Sequence, residues 1–532
     1  MTKKIKSNEL GRFQYLVTEN EKSNIINSQE NRVINSVHVY LGEKIDINIS
    51  KWKSDRKILL IGDAVDVKGE VNWYEVSDWL CTSSSVDEML VKSDRLCGAW
   101  VIFILTDGLE VVFSDAAGLL PVYYCSDNHD TTVSSSSSIL ASIFKRSKEQ
   151  YYDLFSSNSK YFKPEYLKSG NWKGNASLRD TSWPLSLTPY KNIKKLIPNH
   201  YINLRNKKQY RFWPQKDLPK NSVNEAAKIS STLIGEASKQ ISNKYNSIYV
   251  PVTSGVDTRV LLSVISKIDV GIECFTYTTK KDVKNGINRI DMDRDVKVAK
   301  NICKTLGLKH ETIEMSTDVS WDSVNGLFQN IDYLVSSRTI PYEFCTLKKY
   351  ADDEGVCLNG NVSEIGRPYF AYGSLPIWSI DATLVSAITK RKNNSVSEAE
   401  FDPWVSEAKE IYSSFGIEPM DLLYWEERMG SWQSSFQQQM RPVWNIFTPY
   451  NCRLILETLL SVPYRKRVES QIYKKIVEIN CPEIANIPYN PIYGQSNLSK
   501  LKMKIKKNLK KVARRNKLAN YIWWKLNFLL DR

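Results

Sequence analysis

Asp257 stands where a carboxylate is hard to place. It follows an apolar, β-branched run and a turn of small residues, Val252-Thr253-Ser254-Gly255-Val256, and a helical pattern begins just after it. Val260, Leu261, Val264 and Ile265 share one face of that pattern. A strand that turns through small residues into a helix N-terminus makes an anion site. Unpaired N–H groups and the positive end of the helix dipole meet there at one point. Ser254 and Gly255 let the main chain approach a phosphate, and the hydroxyls of Thr253 and Thr258 add donors. A carboxylate beside phosphates repels them unless a cation lies between, so Asp257 points to Mg²⁺. The competing reading is an ordinary strand–turn–helix in which Asp257 is a capping residue.

A second loop supplies another carboxylate. The strand-like Val356-Cys357-Leu358 runs into Asn359-Gly360-Asn361-Val362-Ser363-Glu364-Ile365-Gly366-Arg367. Taken alone, Glu364 reads as an exposed acid on a surface turn. Between the two loops lie Gly271-Ile272-Glu273-Cys274-Phe275-Thr276-Tyr277, a second strand, and a helix from about Asp293 with Val296, Ala299, Ile302, Cys303 and Leu306 on one face. Residues 310–314 return as a third strand. Strands alternating with helices predict a parallel, doubly wound sheet, whose ligands sit at the carboxyl ends of its strands.

The first loop resembles the pyrophosphate loop of the asparagine synthetase family, S-G-G-x-D-S, and the second resembles that family's S-G-E-G-A-D-E loop. Gly360 falls on the glycine and Glu364 on the metal-binding acid. The stretch Asn445-Ile446-Phe447-Thr448-Pro449-Tyr450-Asn451 is similar to the family's P-F-L-D segment. Residues 482–491 resemble the element leading to a late catalytic lysine, where this chain has Tyr489 and Asn490. The resemblance implies Asp257, Glu364 and Arg367 as catalytic residues, with Asp257 and Glu364 holding Mg²⁺. It implies ATP on Val252, Thr253, Ser254, Gly255, Val256, Asp257, Thr258, Tyr277, Asn359 and Gly360. Arg428, Lys466 and Arg467 are further cationic candidates, with surface salt bridging as their ordinary alternative. The implied activity is an amide-forming ligase that adenylates a carboxylate, releases pyrophosphate and transfers nitrogen from ammonia or an amine. Asn361 replaces the family's acidic residue, which points from aspartate towards an amidated sugar acid, as in surface-polysaccharide chemistry, or another specialised metabolite. Asparagine synthetase proper and a non-catalytic family member are the alternatives.

The N-terminal third reads as short strands near residues 58–62, 101–105 and 110–114. Leu96-Cys97-Gly98-Ala99-Trp100 and Asp115-Ala116-Ala117-Gly118-Leu119-Leu120-Pro121-Val122-Tyr123-Tyr124 resemble the glutaminase domain of the same family. That domain is an Ntn-hydrolase-like α/β sandwich whose nucleophile is a cysteine directly after the initiator methionine. Position 2 here is Thr2, on a polar extension, and the first cysteine is Cys81. No glutaminase activity is expected. The implied organisation is a degenerate glutaminase-like domain (1–215), a doubly wound ATP-pyrophosphatase domain of the adenine nucleotide alpha hydrolase type (216–497) and a tail (498–532).

Length and composition agree with two soluble α/β domains. Nine scattered cysteines without a Cys-x-x-Cys pair suit reduced thiols in a cytoplasmic protein, and four dispersed histidines argue against His-based metal catalysis. The polar N-terminus reads against a signal peptide, and no apolar run approaches membrane-spanning length. The net charge of +14 invites a nucleic-acid partner, but +11 of it lies in residues 498–532, so none is expected. Two readings of that tail stand. It is a basic amphipathic helix in peripheral contact with an anionic membrane, or a helix packed on the preceding domain with solvated lysines.

Overall fold

The computed structural model describes residues 10–151, 182–278, 289–314, 346, 354–491 and 516–530, apart from 25, 54, 128–130, 246, 269, 369, 371–374, 390, 392–393 and 443. Thr2 and the basic run 498–515 lie outside the described residues.

Twelve strands of the N-terminal part form two six-stranded antiparallel sheets. One runs Lys194–Lys195, Tyr123–Ser126, Thr131–Ser134, Tyr15–Thr18, Val37–Leu41, Glu30–Ile34. The other runs Lys208–Arg211, His200–Asn203, Leu109–Ser114, Leu96–Leu105, Arg56–Asp66, Ile47–Trp52. Leu96–Leu105 is almost wholly apolar, and all ten of its residues are buried. Such a run suits a central strand covered on both faces, where each fully buried Leu, Ile or Phe contributes about 1.5–3 kcal/mol. Tyr15 of the first sheet packs edge-on against Phe103 of the second, with centroids 6.0 Å apart, so the sheets face each other. Helix Val76–Cys81 lies on the second sheet, with Ser77 2.8 Å from Ser50, and Ser137–Ile143 lies on the first. Strands 56–66 and 96–105 are longer than the sequence suggests. They continue through Gly62 and Gly98, two breaks that helix and strand patterns treat as ends.

The second part opens with the helix Val223–Ser242, fixed at its start by a capping box between Ser222 and Glu225. Its sheet has five parallel strands in the order Lys309–Glu314, Ile272–Thr278, Ile248–Pro251, Val356–Leu358, Asn445–Phe447. The chain begins at the centre, winds outward on one side, then returns to build the other. The winding therefore reverses between Ile248–Pro251 and Val356–Leu358. Alternation along the strands gives the sheet two apolar faces. Ile248, Val250 and Cys274 meet Val298, Ala299 and Ile302 of helix Arg289–Thr305, while Tyr249, Phe275 and Cys357 meet Trp444 and Ile446. The molecule is thus an α/β protein with an antiparallel sandwich followed by a parallel, open sheet.

A buried polar seam joins the two parts. Asn451 donates to Asp115 (2.7 Å) and to the carbonyl of Gly98, while its own oxygen accepts from Ala117 N–H (2.9 Å). Gly98 sits at φ +125°, and a Cβ there would lie 3.0 Å from the Phe447 ring. Beside it, the π-helical segment Tyr424–Gln433 carries Glu426, which accepts from Arg211 (2.9 Å), Asn199 (3.0 Å) and Trp404 (2.8 Å). Arg467, expected at the surface, is instead buried in an ion pair with Asp421 (2.6 Å). Lys466 is exposed.

The C-terminal helix Lys517–Leu530 rests on the second part by its first turn. Lys517 reaches Glu418 (2.9 Å) and Tyr412 (3.1 Å), and Tyr521 packs against Trp378 with centroids 5.3 Å apart. Among the described residues, no helix is long and apolar enough to cross a membrane.

Candidate active site

The strand Ile248–Pro251 ends in the turn 252–256, and the helix Asp257–Ile265 follows. Val252 anchors the turn. Its N–H donates to Phe275 O (2.8 Å), and its carbonyl accepts from Thr276 Oγ1 (2.7 Å). Asp257 is the first helical residue, and no side chain caps this helix. That rules out the capping reading of Asp257 and leaves the helix N-terminus without a side-chain acceptor. Thr253 and Thr258 face each other with hydroxyls 3.4 Å apart, and Gly255 N–H lies 3.2 Å from Thr253 Oγ1.

Ser254 is engaged more heavily than its sequence role as a small residue implied. Its N–H donates to Asp295 (3.1 Å), its hydroxyl accepts from Arg294 (3.0 Å), and its carbonyl accepts from Asn490 N–H (3.0 Å). Arg259, fully buried in the first turn of the helix, donates to the carbonyls of Ile487 and Pro488 and lies 3.8 Å over the Tyr489 ring. Residues 487–490 are thereby strapped across the loop.

The second loop leaves the neighbouring strand Val356–Leu358. Asn359 N–H donates to Phe447 O (3.2 Å), and Asn359 Oδ1 accepts from Thr448 Oγ1 (2.8 Å). Gly360 then passes so close to the first loop that a Cβ would stand 2.9 Å from the Asp257 carbonyl carbon and 3.1 Å from Thr258 N. Only glycine fits there. Val362 follows at φ +73°, a left-handed conformation that is rare for a buried β-branched residue and costs about 1–3 kcal/mol. It turns the chain into the single 3₁₀ turn Ser363–Gly366.

That turn delivers three side chains to Asp257. Ser363 Oγ donates to Asp257 Oδ1 (2.7 Å), and Arg367 donates to Oδ2 (2.7 Å). Glu364 lies partly buried beside them. Burial first, then the negative charge of Asp257, push its carboxyl up to about 7, against the pull of Arg367 and Arg428. Its Oε2 has no hydrogen-bond partner. The hydroxyl of the fully buried Tyr450, whose titration feels Asp257 and Glu364, is likewise unpartnered. Two mutually repelling carboxylates with an orphaned oxygen fit a hard divalent cation. Among the described residues no group of three or more His, Cys, Asp or Glu side chains gathers anywhere, so the remaining oxygens of such a cation would have to come from elsewhere.

The loop residues predicted from sequence, 252–258, 359, 360, 364 and 367, converge at the carboxyl ends of two adjacent strands, at the point where the sheet's winding reverses. Glu364 is not the exposed turn residue of the ordinary reading. Tyr277 closes its own strand at the same edge, where its hydroxyl meets Thr346 (2.7 Å). Sequence reasoning missed Asp295, Arg294, Arg259 and Tyr473, and named Tyr450 and Asn490 without giving them a role. Tyr473 holds the Ser363 carbonyl. The one available signal was the acid–base cluster at 293–295, on the helix that follows the second strand.

No known family model matches the sequence, and no curated protein matches it either. Among solved structures, glutamine-dependent NAD⁺ synthetase from Acinetobacter baumannii in complex with ADP aligns at 10% identity with a TM-score of 0.20, over 34% of this chain and 33% of that one. The alignment thus spans about a third of that protein. NMN synthetase from Francisella tularensis aligns at 9% identity and TM-score 0.19, over 38% and 85% of the two chains. Glutamine phosphoribosylpyrophosphate amidotransferase from B. subtilis, complexed with ADP and GMP, aligns at 9% and 0.21, over 76% and 84%. Likenesses this weak carry no weight for activity, which rests on the site geometry.

Proposed function

We propose that the chain is an ATP-dependent, amide-forming ligase of the asparagine synthetase type. In it residues 216–497 adenylate a small-molecule carboxylate, and residues 1–215 are a glutaminase-like domain without its nucleophile. The observation that carries this reading is the meeting of Asp257 and Glu364 across the switch point of a parallel sheet, with Gly360 pressed against the Asp257 backbone.

The chemistry follows from what these groups can do. A carboxylate does not react with an amine, because its oxygen leaves poorly. Attack of that oxygen on the α-phosphate of ATP, with departure of pyrophosphate, makes it a good leaving group. The N–H groups of the uncapped helix and the hydroxyls of Thr253 and Thr258 are placed for the β and γ phosphates. Asp257 and Glu364 would hold Mg²⁺, which when bound screens the phosphate charge and steadies the departing pyrophosphate. Arg367 and Arg428 supply positive charge beside the same point. Free ammonia or an amine is the nitrogen donor in this reading, and it then displaces AMP. Asn361 in place of an acid favours a carboxylate other than aspartate.

Pyrophosphate release, followed over a panel of carboxylic acids with ATP, Mg²⁺ and ammonia, tests the reading. Acid-dependent release supports it. Absence of both turnover and MgATP binding would overturn it.

A further inference from the structure

Arg367 is oddly occupied for a residue beside a phosphate site. Among the described residues, its guanidinium has one hydrogen-bond partner, Asp257 Oδ2 at 2.7 Å, and its Nε is buried without any. The side chain is 23% exposed, and the backbone at Arg367 is ordinary extended chain immediately after the 3₁₀ turn. Nothing else described pins the guanidinium except the Tyr473 ring, 5.5 Å away. Meanwhile both Asp257 oxygens are taken, Oδ1 by Ser363 and Oδ2 by Arg367, while Glu364 keeps a buried oxygen that no donor reaches.

This arrangement matches the needs of a two-carboxylate site in the absence of its phosphates. Two partly buried acids side by side are unstable without a positive charge between or beside them. A divalent cation prefers about six oxygens, and this pocket supplies two carboxylates, one already spoken for. A tethered guanidinium outcompetes a bare cation there because it gives up less entropy and brings its own charge. A nucleotide changes the balance. It adds phosphate oxygens to complete the cation's shell, and it offers the displaced guanidinium a pair of oxygens that its planar fork can grip.

We propose that Arg367 is a resident counter-ion that holds the Asp257–Glu364 seat against free divalent cations and moves onto phosphate when nucleotide and cation arrive together. The proposal rests on the nucleotide reading above and adds an order of events to it. The cation enters with the nucleotide and not before. Arg367 is then a positioning residue with two alternative partners.

Manganese, visible by electron paramagnetic resonance, is the probe, and the full chain is the sample. The parent should bind Mn²⁺ weakly without nucleotide. Arg367→Gln removes the competing charge and should tighten Mn²⁺ alone by about tenfold or more. The same change should weaken MgATP, measured by calorimetry, by about tenfold, since a charge-assisted contact to phosphate is lost. Opposite signs on the two ligands are something a merely structural role cannot produce. Arg367→Lys keeps the charge and serves as the second variant, with Mn²⁺ binding left weak. Unchanged or weaker Mn²⁺ binding by a folded Arg367→Gln protein overturns the counter-ion role, as does tight Mn²⁺ binding by the parent. If the parent fails to bind MgATP at all, the nucleotide reading itself falls. If the parent binds MgATP and only the Mn²⁺ response is missing, this inference alone falls.

Discussion

Asn451 and Asp115 lie 336 residues apart in sequence and share a 2.7 Å hydrogen bond in full burial. Asp115 also accepts from the N–H groups of Trp100, Ala117, Leu119 and Leu120, so one carboxylate organises a turn of the antiparallel part and its junction with the parallel one. Asn451→Ala should take a donor from the Gly98 carbonyl and from Asp115 Oδ1, and leave Ala117 N–H with its longer bond to Asp115 alone. The expected loss is about 1–3 kcal/mol, because a buried group deprived of its hydrogen bond costs its desolvation. Urea unfolding checks it, and a loss below about 0.5 kcal/mol would contradict the seam's importance.

Gly360→Ala should damage nucleotide binding more than stability. The new methyl would press on the Asp257 carbonyl carbon and Thr258 N, which are backbone atoms without freedom to yield. MgATP affinity should fall about tenfold or more, a displacement of the helix N-terminus by a few tenths of an ångström being enough to misalign its donors. Calorimetry beside a melting curve separates the two effects.

Asp257→Ala should abolish measurable MgATP binding, since it removes half of the carboxylate pair. A variant that binds as tightly as the parent would show that the loop has been misassigned.

Asp94 gives the fold a pH signature. Burial, opposed by Arg453 and assisted by Glu457, raises its carboxyl to about 7, well above the ordinary range near 4. The folded chain therefore holds this proton more tightly than the unfolded one. Its contribution is complete below about pH 4 and is lost as pH rises to about 7, on the order of 1–2 kcal/mol after allowing for the side chain's partial exposure. Asp94→Asn should flatten the stability profile over that window. An unchanged slope would exclude Asp94 as its source.

The tail has a divided allegiance that flotation can resolve. Its described first turn is already docked through Lys517 and Tyr521, yet Leu518 and Ile522 are half exposed. At about 1 kcal/mol per engaged basic residue, the run before it favours anionic vesicles. Full-length protein should float with acidic liposomes and a chain ending at Asn497 should not. Equal partitioning would leave the helix as a packing element alone.

The two loops were legible in the sequence because each carries its own punctuation, small residues followed by an acid at a strand's end. The parallel order was legible from strands alternating with helices. What escaped was contact across distance. Asn490 reaches Ser254 over 236 residues, and a hydrogen bond of that span leaves no local pattern. Arg467 reads like any surface arginine until Asp421 is found beneath it. Glu364 reads as a solvated acid because its burial depends on Val362, whose left-handed backbone is the opposite of what a valine advertises.

The bond from Thr448 to Asn359 ties the second loop to the segment that joins the two parts. Thr448 and Pro449 lie with their carbonyls on the Cys97 thiol of the antiparallel part, three residues before the Asn451 that grips Asp115. The wall that shapes the second loop is therefore cast against a neighbour that needs no catalysis of its own to be indispensable. A fragment comprising only the parallel sheet would carry both loops and still lack the mould in which they set.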